Sequence, residues 1–575
     1  MHVKVLASLM AIAVLAAGFA GCMDADNGKI ANTAGTDVSK WNSTMKALGG
    51  DHVIVPLDPE SVVAAIPMAM SGEKKVAILS NPLSKPGILS APVKLDGTPA
   101  EIAAAAARAG WEKSDGAVLA SNYKQSVIGA PLAAMLGVPM LIIDGKADVF
   151  LTLKALGVKE LLCIDSKPEG VEGFASDVLP IENVNALIAD VAKAKGRTLN
   201  YIALTATDDT AEDYHGVKGL SAMAAVLAAY RGGIVVQSDD FSLEAKASES
   251  QESMDASNAI GTLIQSAVKR EAEMLSSKGH APAYLALAGC PTTVAPVFMS
   301  EGGYNHAVDS YYGDLDGDND TIELAVGRFV TIDLNDALDL FARTANYAKF
   351  VETHESPSPL SASFGEWKDV AGFIYGHGLL ETAWPNTMMQ TELMVRQSGG
   401  FSTMTMAGPH PDAPQMAQAI WEASNIVYLL VHGAPDGYSC TYGALMVSGD
   451  MIREWNLGPT LVYASTCLTT KLVGEKIAGS FSLNFLHAGG VCYVGANQPS
   501  SDSLVMVPGA MPANGCDRLG EIFLTHIVKD NMDVGTAFKV AKNEFLAETQ
   551  NYFTWYEYVL YGDPALNPYE PNNGG

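Results

Sequence analysis

Basic residues are scarce in this sequence of 575 residues. It contains 36 Lys and Arg against 64 Asp and Glu, which gives a formal net charge of −28. No segment carries a dense Lys or Arg cluster, and an acidic surface repels phosphate backbones, so nucleic acid is excluded as a partner. Charged residues make up only 17% of the chain and hydrophobic residues 48%, a balance that excludes intrinsic disorder. The composition is that of a protein with large hydrophobic cores, and its length predicts more than one domain.

Cysteines and long apolar runs are also few. The seven cysteines include no CxxC pair and no zinc-like spacing, and their density is far below that of a disulfide-built scaffold. No segment after the N-terminus reaches 18 consecutive apolar residues, so no membrane-spanning helix is predicted.

The first 21 residues have the pattern of a signal peptide. Lys4 precedes an apolar stretch that is too short to span a bilayer, and mostly small residues lead directly into Cys22. We expect lipidation of Cys22; a plain secretory signal cut elsewhere is the alternative. Residues 22–50 are then expected to form a polar tether. The mature protein is expected to lie outside the cytoplasm, either secreted or held at the cell surface. The lipid would be its only attachment to a membrane.

The remaining chain alternates short apolar runs with Ala-rich helical stretches, including a helix that begins at Pro99. This alternation is typical of α/β domains with parallel sheets. We predict an N-terminal α/β domain over residues 51–198, a second α/β region over 199–350 and a third over 351–570. Residues 114–165 resemble the cell-wall-binding repeat of surface proteins, which implies attachment to the cell envelope.

Two chemically capable residues follow apolar strands in the last third of the chain. The strand at 426–431 ends in His432 and Gly433, and the strand at 461–464 leads through Ser465 to Cys467. Open α/β sheets place their sites at the carboxyl ends of parallel strands, so imidazole and thiol are expected to converge there. The backbone N–H groups of Gly433 and Cys467 are the expected oxyanion donors. No cofactor is needed for this chemistry.

Seven landmarks occur in the order seen in the gingipain-like cysteine peptidases, and residues 200–568 resemble that family. They are a strand at 283–289, an acidic loop at 309–318, Val-Gly-Arg at 326–328, His432-Gly433, Ser-Thr-Cys at 465–467, a helix and glycine-led strand at 481–495, and Gly-Asp-Pro at 562–564. The resemblance implies a caspase-like α/β fold, Cys467 as nucleophile, His432 as general acid and base, and a protein or peptide substrate.

The pattern departs from the family in two places. Leu468 and two threonines follow the nucleophile, where the family often has glycine or asparagine within three residues. A second His-Gly pair, at His377, competes with His432, but the caspase-like order puts the histidine strand immediately before the cysteine strand and favours His432. An inactive binding or envelope protein on the same scaffold is the alternative to a cysteine endopeptidase.

The acidic loop is a candidate calcium site. Alternating carboxylates around a glycine can curl about one hard cation, although no Glu stands at the twelfth position of an EF-hand. A solvated acidic turn is the alternative. The expected ligands are Asp309, Asp314, Asp316, Asp318 and Asp320.

Overall fold

The computed structural model describes residues 38–82, 89–144, 148–210, 215–243, 247–376, 384–407, 413–440, 446–502 and 515–568. Cys22, the predicted signal peptide and His377 lie outside these residues. Within the described ranges, no helix is both long and apolar enough to cross a membrane.

The N-terminal part contains two small parallel sheets, in the order β3-β2-β4 and β7-β6-β8-β9, with helices packed around them. A short antiparallel pair joins β1 to β5. The strands are β1 (Ser43–Met45), β2 (His52–Ile54), β3 (Ala77–Leu79), β4 (Pro92–Lys94), β5 (Trp111–Ser114), β6 (Gly116–Ala120), β7 (Met140–Ile142), β8 (Glu160–Ile164) and β9 (Ala175–Leu179). The helices are α1 (Pro59–Met70), α2 (Pro99–Gly110), α3 (Tyr123–Leu136), α4 (Asp148–Ala155) and α5 (Val184–Ala194).

Local sequence signals explain where these helices begin. Helix α2 starts at Pro99 as predicted, because Thr98 and Glu101 form a capping box that satisfies the backbone donors of its first turn. Helix α3 begins after the cap Asn122 and ends at Gly137, whose φ of 79° places it in the left-handed region that glycine enters most easily.

A ten-stranded sheet organises the rest of the chain, in the order β11-β10-β12-β15-β24-β23-β22-β18-β16-β17. Its strands are β10 (Tyr201–Thr205), β11 (Ile234–Gln237), β12 (Tyr284–Ala288), β15 (Ala325–Phe329), β16 (Val370–Tyr375), β17 (Ser402–Ala407), β18 (Ile426–Leu430), β22 (Leu461–Ser465), β23 (Cys492–Ala496) and β24 (Tyr558–Gly562). Strands run parallel within the blocks β11-β10-β12-β15 and β23-β22-β18-β16-β17. Strand β24 lies between the blocks and is antiparallel to β23.

Helices and two small antiparallel sheets surround this large sheet. The helices are α6 (Ala222–Arg231), α7 (Gln251–Ser277), α8 (Leu334–Ala345), α9 (Tyr347–Thr353), α10 (Ser361–Phe364), α11 (Trp384–Gly399), α12 (Ala413–Ala423), α13 (Gly449–Arg453), α14 (Phe481–Ala488), α15 (Cys516–Val528), α16 (Val534–Thr549) and α17 (Tyr552–Glu557). The small sheets consist of β13 (Val297–Glu301) with β14 (Tyr304–Val308), and of β19 (His432–Ala434), β20 (Gly437–Ser439) and β21 (Val447–Ser448). The predicted mixed α/β architecture with a mostly parallel sheet is confirmed.

The N-terminal part packs directly on the large-sheet region. Helices α1 and α3 contact α6, and β3 contacts α8. Tyr123 bonds Ser221 through a hydroxyl pair 2.7 Å apart, and the Ser80 hydroxyl donates to the side-chain oxygen of Asn335 at 2.5 Å. The two parts therefore share a buried boundary with hydrogen bonds across it. The domain limits given from the sequence stay a prediction.

Candidate active site

Cys467 and His432 stand at matching positions beyond two neighbouring strands. Strands β18 and β22 pair in parallel, with Leu430 opposite Ser465 at their ends. His432 and Cys467 each lie two residues past this last pair, and both are half-buried. The parallel register thus brings the two predicted residues to one edge of the sheet, at its carboxyl ends.

Gly433 fixes how closely the two segments approach. A Cβ atom at this position would lie 2.2 Å from the carbonyl oxygen of Cys467 and 3.0 Å from the Thr466 Cβ. Only a residue without a side chain allows this contact, which explains the glycine after His432. The backbone N–H of Gly433 also donates toward the Cys467 thiol and lowers its pKa.

The backbone of Ser500 holds the thiol from a third segment. Its N–H donates to Cys467 Sγ at 3.2 Å, and its carbonyl oxygen lies 3.5 Å from the same sulfur. Burial nevertheless raises the pKa of Cys467, and the nearby carboxylates of Glu557 and Asp502 raise it further. The protonated thiol is therefore the favoured form before substrate binds, and a base must remove its proton.

Side-chain hydrogen bonds hold the segment that carries Ser500 in place. The Ser500 hydroxyl donates to Glu557 Oε1 at 3.1 Å, and Glu557 is fully buried at the end of α17, directly before β24. Burial raises the pKa of Glu557 well above its ordinary value. The hydroxyl of Ser465 donates to Asp502 at 3.0 Å. These contacts tie the segment after β23 to the strand that carries the nucleophile.

Cys467 is followed by a strained turn. Leu468 has a φ of 60°, in the left-handed region where glycine or asparagine is favoured. Its N–H donates to the carbonyl oxygen of Gln498 at 3.2 Å. The left-handed turn is thus kept although Leu468 replaces the glycine or asparagine that favours it. This backbone conformation costs roughly 1–2 kcal/mol at a leucine.

A narrow crevice opens where the two strand blocks meet, beside the turn after Cys467. Thr470, Leu472 and Gln498 line it from one block, and Asp309 and Arg328 line it from the other. The Arg328 guanidinium binds Asp309 through two hydrogen bonds, 2.5 and 2.8 Å long, and both side chains are buried. The crevice therefore joins residues from both halves of the sheet, and its buried charges are paired.

The acidic loop divides into two groups. One carboxylate oxygen from each of Asp314, Asp316 and Asp318 lies within 4.8 Å of the others, close enough to share an ion. Asp309 instead binds Arg328, and Asp320 accepts a hydrogen bond from the Tyr552 hydroxyl. Three of the five residues expected to bind calcium are thus together, and the other two face different partners.

The sequence did not single out Ser500, Asp502 or Glu557. They lie 33 to 90 residues after Cys467 and reach it only through the fold. A usable signal existed for the first two: the run Asn-Gln-Pro-Ser-Ser-Asp at 497–502 directly follows β23, at the same edge of the sheet as Cys467. Glu557 lies before a strand, so the rule that sites lie at the carboxyl ends of parallel strands does not predict it.

The fold places a cysteine and a histidine at adjacent carboxyl ends of a parallel sheet, an arrangement of side chains that thiol hydrolases use. A profile of peptidase family C25 matches residues 198–569, and the chain belongs to this family of cysteine peptidases. The predicted membership in the gingipain family is confirmed.

Two solved structures are similar to this chain. The crystal structure of the Arg-specific cysteine proteinase gingipain R aligns with a TM-score of 0.45 and 14% identity, over 64% of this chain and 78% of that one. A complex of the pro- and mature domains of Porphyromonas gingivalis RgpB aligns with a TM-score of 0.44 and 16% identity, over 64% of this chain and 79% of that one. A comparison with curated protein sequences found no match.

Proposed function

We propose that the protein is a cysteine endopeptidase that acts through Cys467 and His432. The observation that carries this proposal is the equivalent placement of the two residues past β18 and β22, with Gly433 packed against the Cys467 backbone. His432 removes the thiol proton, and the sulfur attacks the peptide carbonyl to form a tetrahedral intermediate. Its collapse releases the amine, which takes the proton from His432, and leaves a thioester that water hydrolyses with His432 as base.

The surroundings of Cys467 suit this sequence of steps. The N–H groups of Gly433 and Cys467 are the proposed donors to the oxyanion, and Gly433 already donates toward the sulfur. The Ser500 N–H, 3.2 Å from Sγ, stabilises negative charge on sulfur once the proton has left. Because burial raises the pKa of the thiol, proton transfer to His432 must accompany attack.

A mixed peptide library incubated with the purified protein tests turnover and reports the preferred cleavage position. Cys467→Ala and His432→Ala should each abolish nearly all cleavage, and the double variant should be no worse, because the two groups act as a unit. Cys440→Ala is the matched control and should retain most activity. Cleavage by Cys467→Ala at the wild-type rate would contradict the assignment.

A scaffold without turnover is the second candidate, and the raised pKa of Cys467 is the observation that favours it. Alkylation distinguishes the two functions. An activated thiol reacts with iodoacetamide at pH 6 far faster than Cys163, whose pKa burial raises to about 11. Equal rates at the two cysteines, together with no cleavage of the library, would favour the binding protein.

We also propose that the mature chain begins at a lipid-modified Cys22, which would hold the peptidase at the cell surface. Support comes from the short apolar stretch that ends at small residues directly before this cysteine. Mass spectrometry of the native N-terminal peptide tests it, and an unmodified start at another residue would contradict it. Attachment to the envelope through residues 114–165 stays a prediction.

A structural calcium ion in the acidic loop is the remaining part of the proposal. Asp314, Asp316 and Asp318 are its proposed ligands, because three carboxylates so close together repel one another unless a cation neutralises them.

A further inference from the structure

A large cavity lies at the opposite edge of the sheet from Cys467. Its volume is ≈ 600 Å³, within the usual range of small-molecule sites. The segment 456–459 and Gly489, which directly precede β22 and β23, form one wall. Helix α8 forms another, and Asn81 and Pro82, just after β3, bring in the N-terminal part of the chain.

The Arg343 side chain points to an anionic ligand. It lines the cavity, yet it is only 8% exposed, and its Nε atom is buried without a hydrogen-bond partner. Within the described residues its side chain makes one hydrogen bond, from Nη2 to the carbonyl oxygen of Leu486 at 2.5 Å. The guanidinium is therefore short of acceptors, and an anionic ligand group bound in the cavity would be stabilised by its charge and its N–H groups.

An imidazole ring lines the same cavity. His487 Nδ1 lies 2.8 Å from the Asp336 carboxylate, which fixes the imidazole ring. The side chain of His487 is 32% exposed, whereas that of Asp336 is 6% exposed. Because the carboxylate accepts from Nδ1, the Nε2 atom of the neutral ring is an acceptor, and no described residue bonds to it.

Carboxylates on the same walls exclude a purely anionic occupant. Asp339, one helical turn before Arg343, and Glu355 both line the cavity. Asp339 and Arg343 attract each other, but they form no ion pair within the described residues. Burial raises the pKa of Asp339 to about 6, which leaves it mostly ionised at neutral pH. A phosphate or simple carboxylate would face these negative groups, and a simple amine would face Arg343.

We propose that this cavity binds a zwitterion with an α-ammonium and an α-carboxylate, namely a free amino acid or a short peptide. The carboxylate accepts from the Arg343 guanidinium, and the ammonium donates to Asp339 and to His487 Nε2. Such a ligand supplies both missing partners at once, and the cavity is large enough for a dipeptide. The site is separate from the edge that carries Cys467, so binding does not require an active peptidase.

Titration calorimetry with the full mature chain tests this proposal. The Cys467→Ala variant prevents turnover, and the probes are the twenty amino acids, a set of dipeptides and their N-acetyl and C-amide forms. At least one zwitterion should bind, and blocking either end should weaken it 10-fold or more. Binding of single amino acids alone or of dipeptides as well would each support the proposal and would define the ligand's size.

Two substitutions connect binding to this cavity. Asp339→Asn keeps the shape of a half-buried side chain and should weaken binding at least 10-fold; Arg343→Met should do the same. Glu352→Gln changes an exposed carboxyl on the adjacent helix α9 and should leave binding unchanged. If Arg343→Met does not fold, Asp339→Asn and the blocked ligands still decide the result. No binding by any zwitterion at millimolar concentration, equal binding of acetate or inorganic phosphate, or unchanged binding in Asp339→Asn would overturn the proposal.

Discussion

The substitution Gly433→Ala tests whether the contact between the histidine and cysteine segments controls catalysis. The added Cβ would lie 2.2 Å from the Cys467 carbonyl oxygen, whereas ordinary contacts begin at 3.4 Å. One segment must therefore move by roughly 1 Å, since the obstacle is backbone rather than a flexible side-chain end. Overpacking of this kind costs about 1–3 kcal/mol of folding free energy. A misplacement of about 1 Å at reacting groups lowers activity roughly 100-fold.

Alanine keeps the N–H group of Gly433, so a loss of activity would report displacement and not the removal of a donor. We expect kcat/KM for the best library peptide to fall by about 100-fold, while thermal unfolding shows a folded protein. Gly479→Ala is the matched control, because no atom lies within 4 Å of its added Cβ. A Gly433→Ala enzyme whose kcat/KM stays within about twofold of wild type would refute the reasoning.

Three further predictions concern buried or acidic groups. Asp309→Ala leaves the buried charge of Arg328 unpaired and should lower the free energy of unfolding by about 3–5 kcal/mol in denaturant. The loss should be the same with calcium and with chelator. A loss of stability seen only with calcium would show instead that Asp309 is a calcium ligand. Calcium should raise the melting temperature of the wild type, and the Asp316→Asn, Asp318→Asn double variant should lose that response. Identical wild-type melting curves in calcium and in chelator would contradict the proposed calcium site. Because the pKa of Glu557 is raised, the wild type should lose stability as pH rises above the ordinary value of 4.5 toward the folded-state pKa. Glu557→Gln should flatten this slope in unfolding measured from pH 4 to 9, and parallel slopes would contradict the raised pKa of Glu557.

Local sequence information was enough for the parts of the site that follow their own strands. His432 and Cys467 each come directly after an apolar run, so strand prediction and the rule for parallel sheets place them together. The resemblance to the gingipain family made the same choice. Strand β18 does lie next to β22, as the caspase-like order requires.

The rest depends on contacts between distant segments, which no local pattern reveals. Asp309 was expected to bind calcium because it begins an acidic loop, but the loop turns back so that this carboxylate meets Arg328 on β15. Arg343 reads as an ordinary helix residue in the sequence. Its buried and unpaired Nε becomes visible only once α8 packs against α14 and the loop before β22.

The position of β24 has a consequence for how the chain matures. Among the described strands this one comes last in sequence, yet it lies in the middle of the sheet. There it separates the two blocks, within each of which the strands run parallel. Asp563, just after it, binds Tyr201 and Arg231 at the beginning of the large-sheet region, across 362 and 332 residues. During synthesis both blocks leave the ribosome before the strand that joins them, and closing such long loops is slow. Glu557, the buried support of Ser500, arrives with that same strand. The surroundings of Cys467 are therefore complete only after this strand has been made and has paired with both blocks.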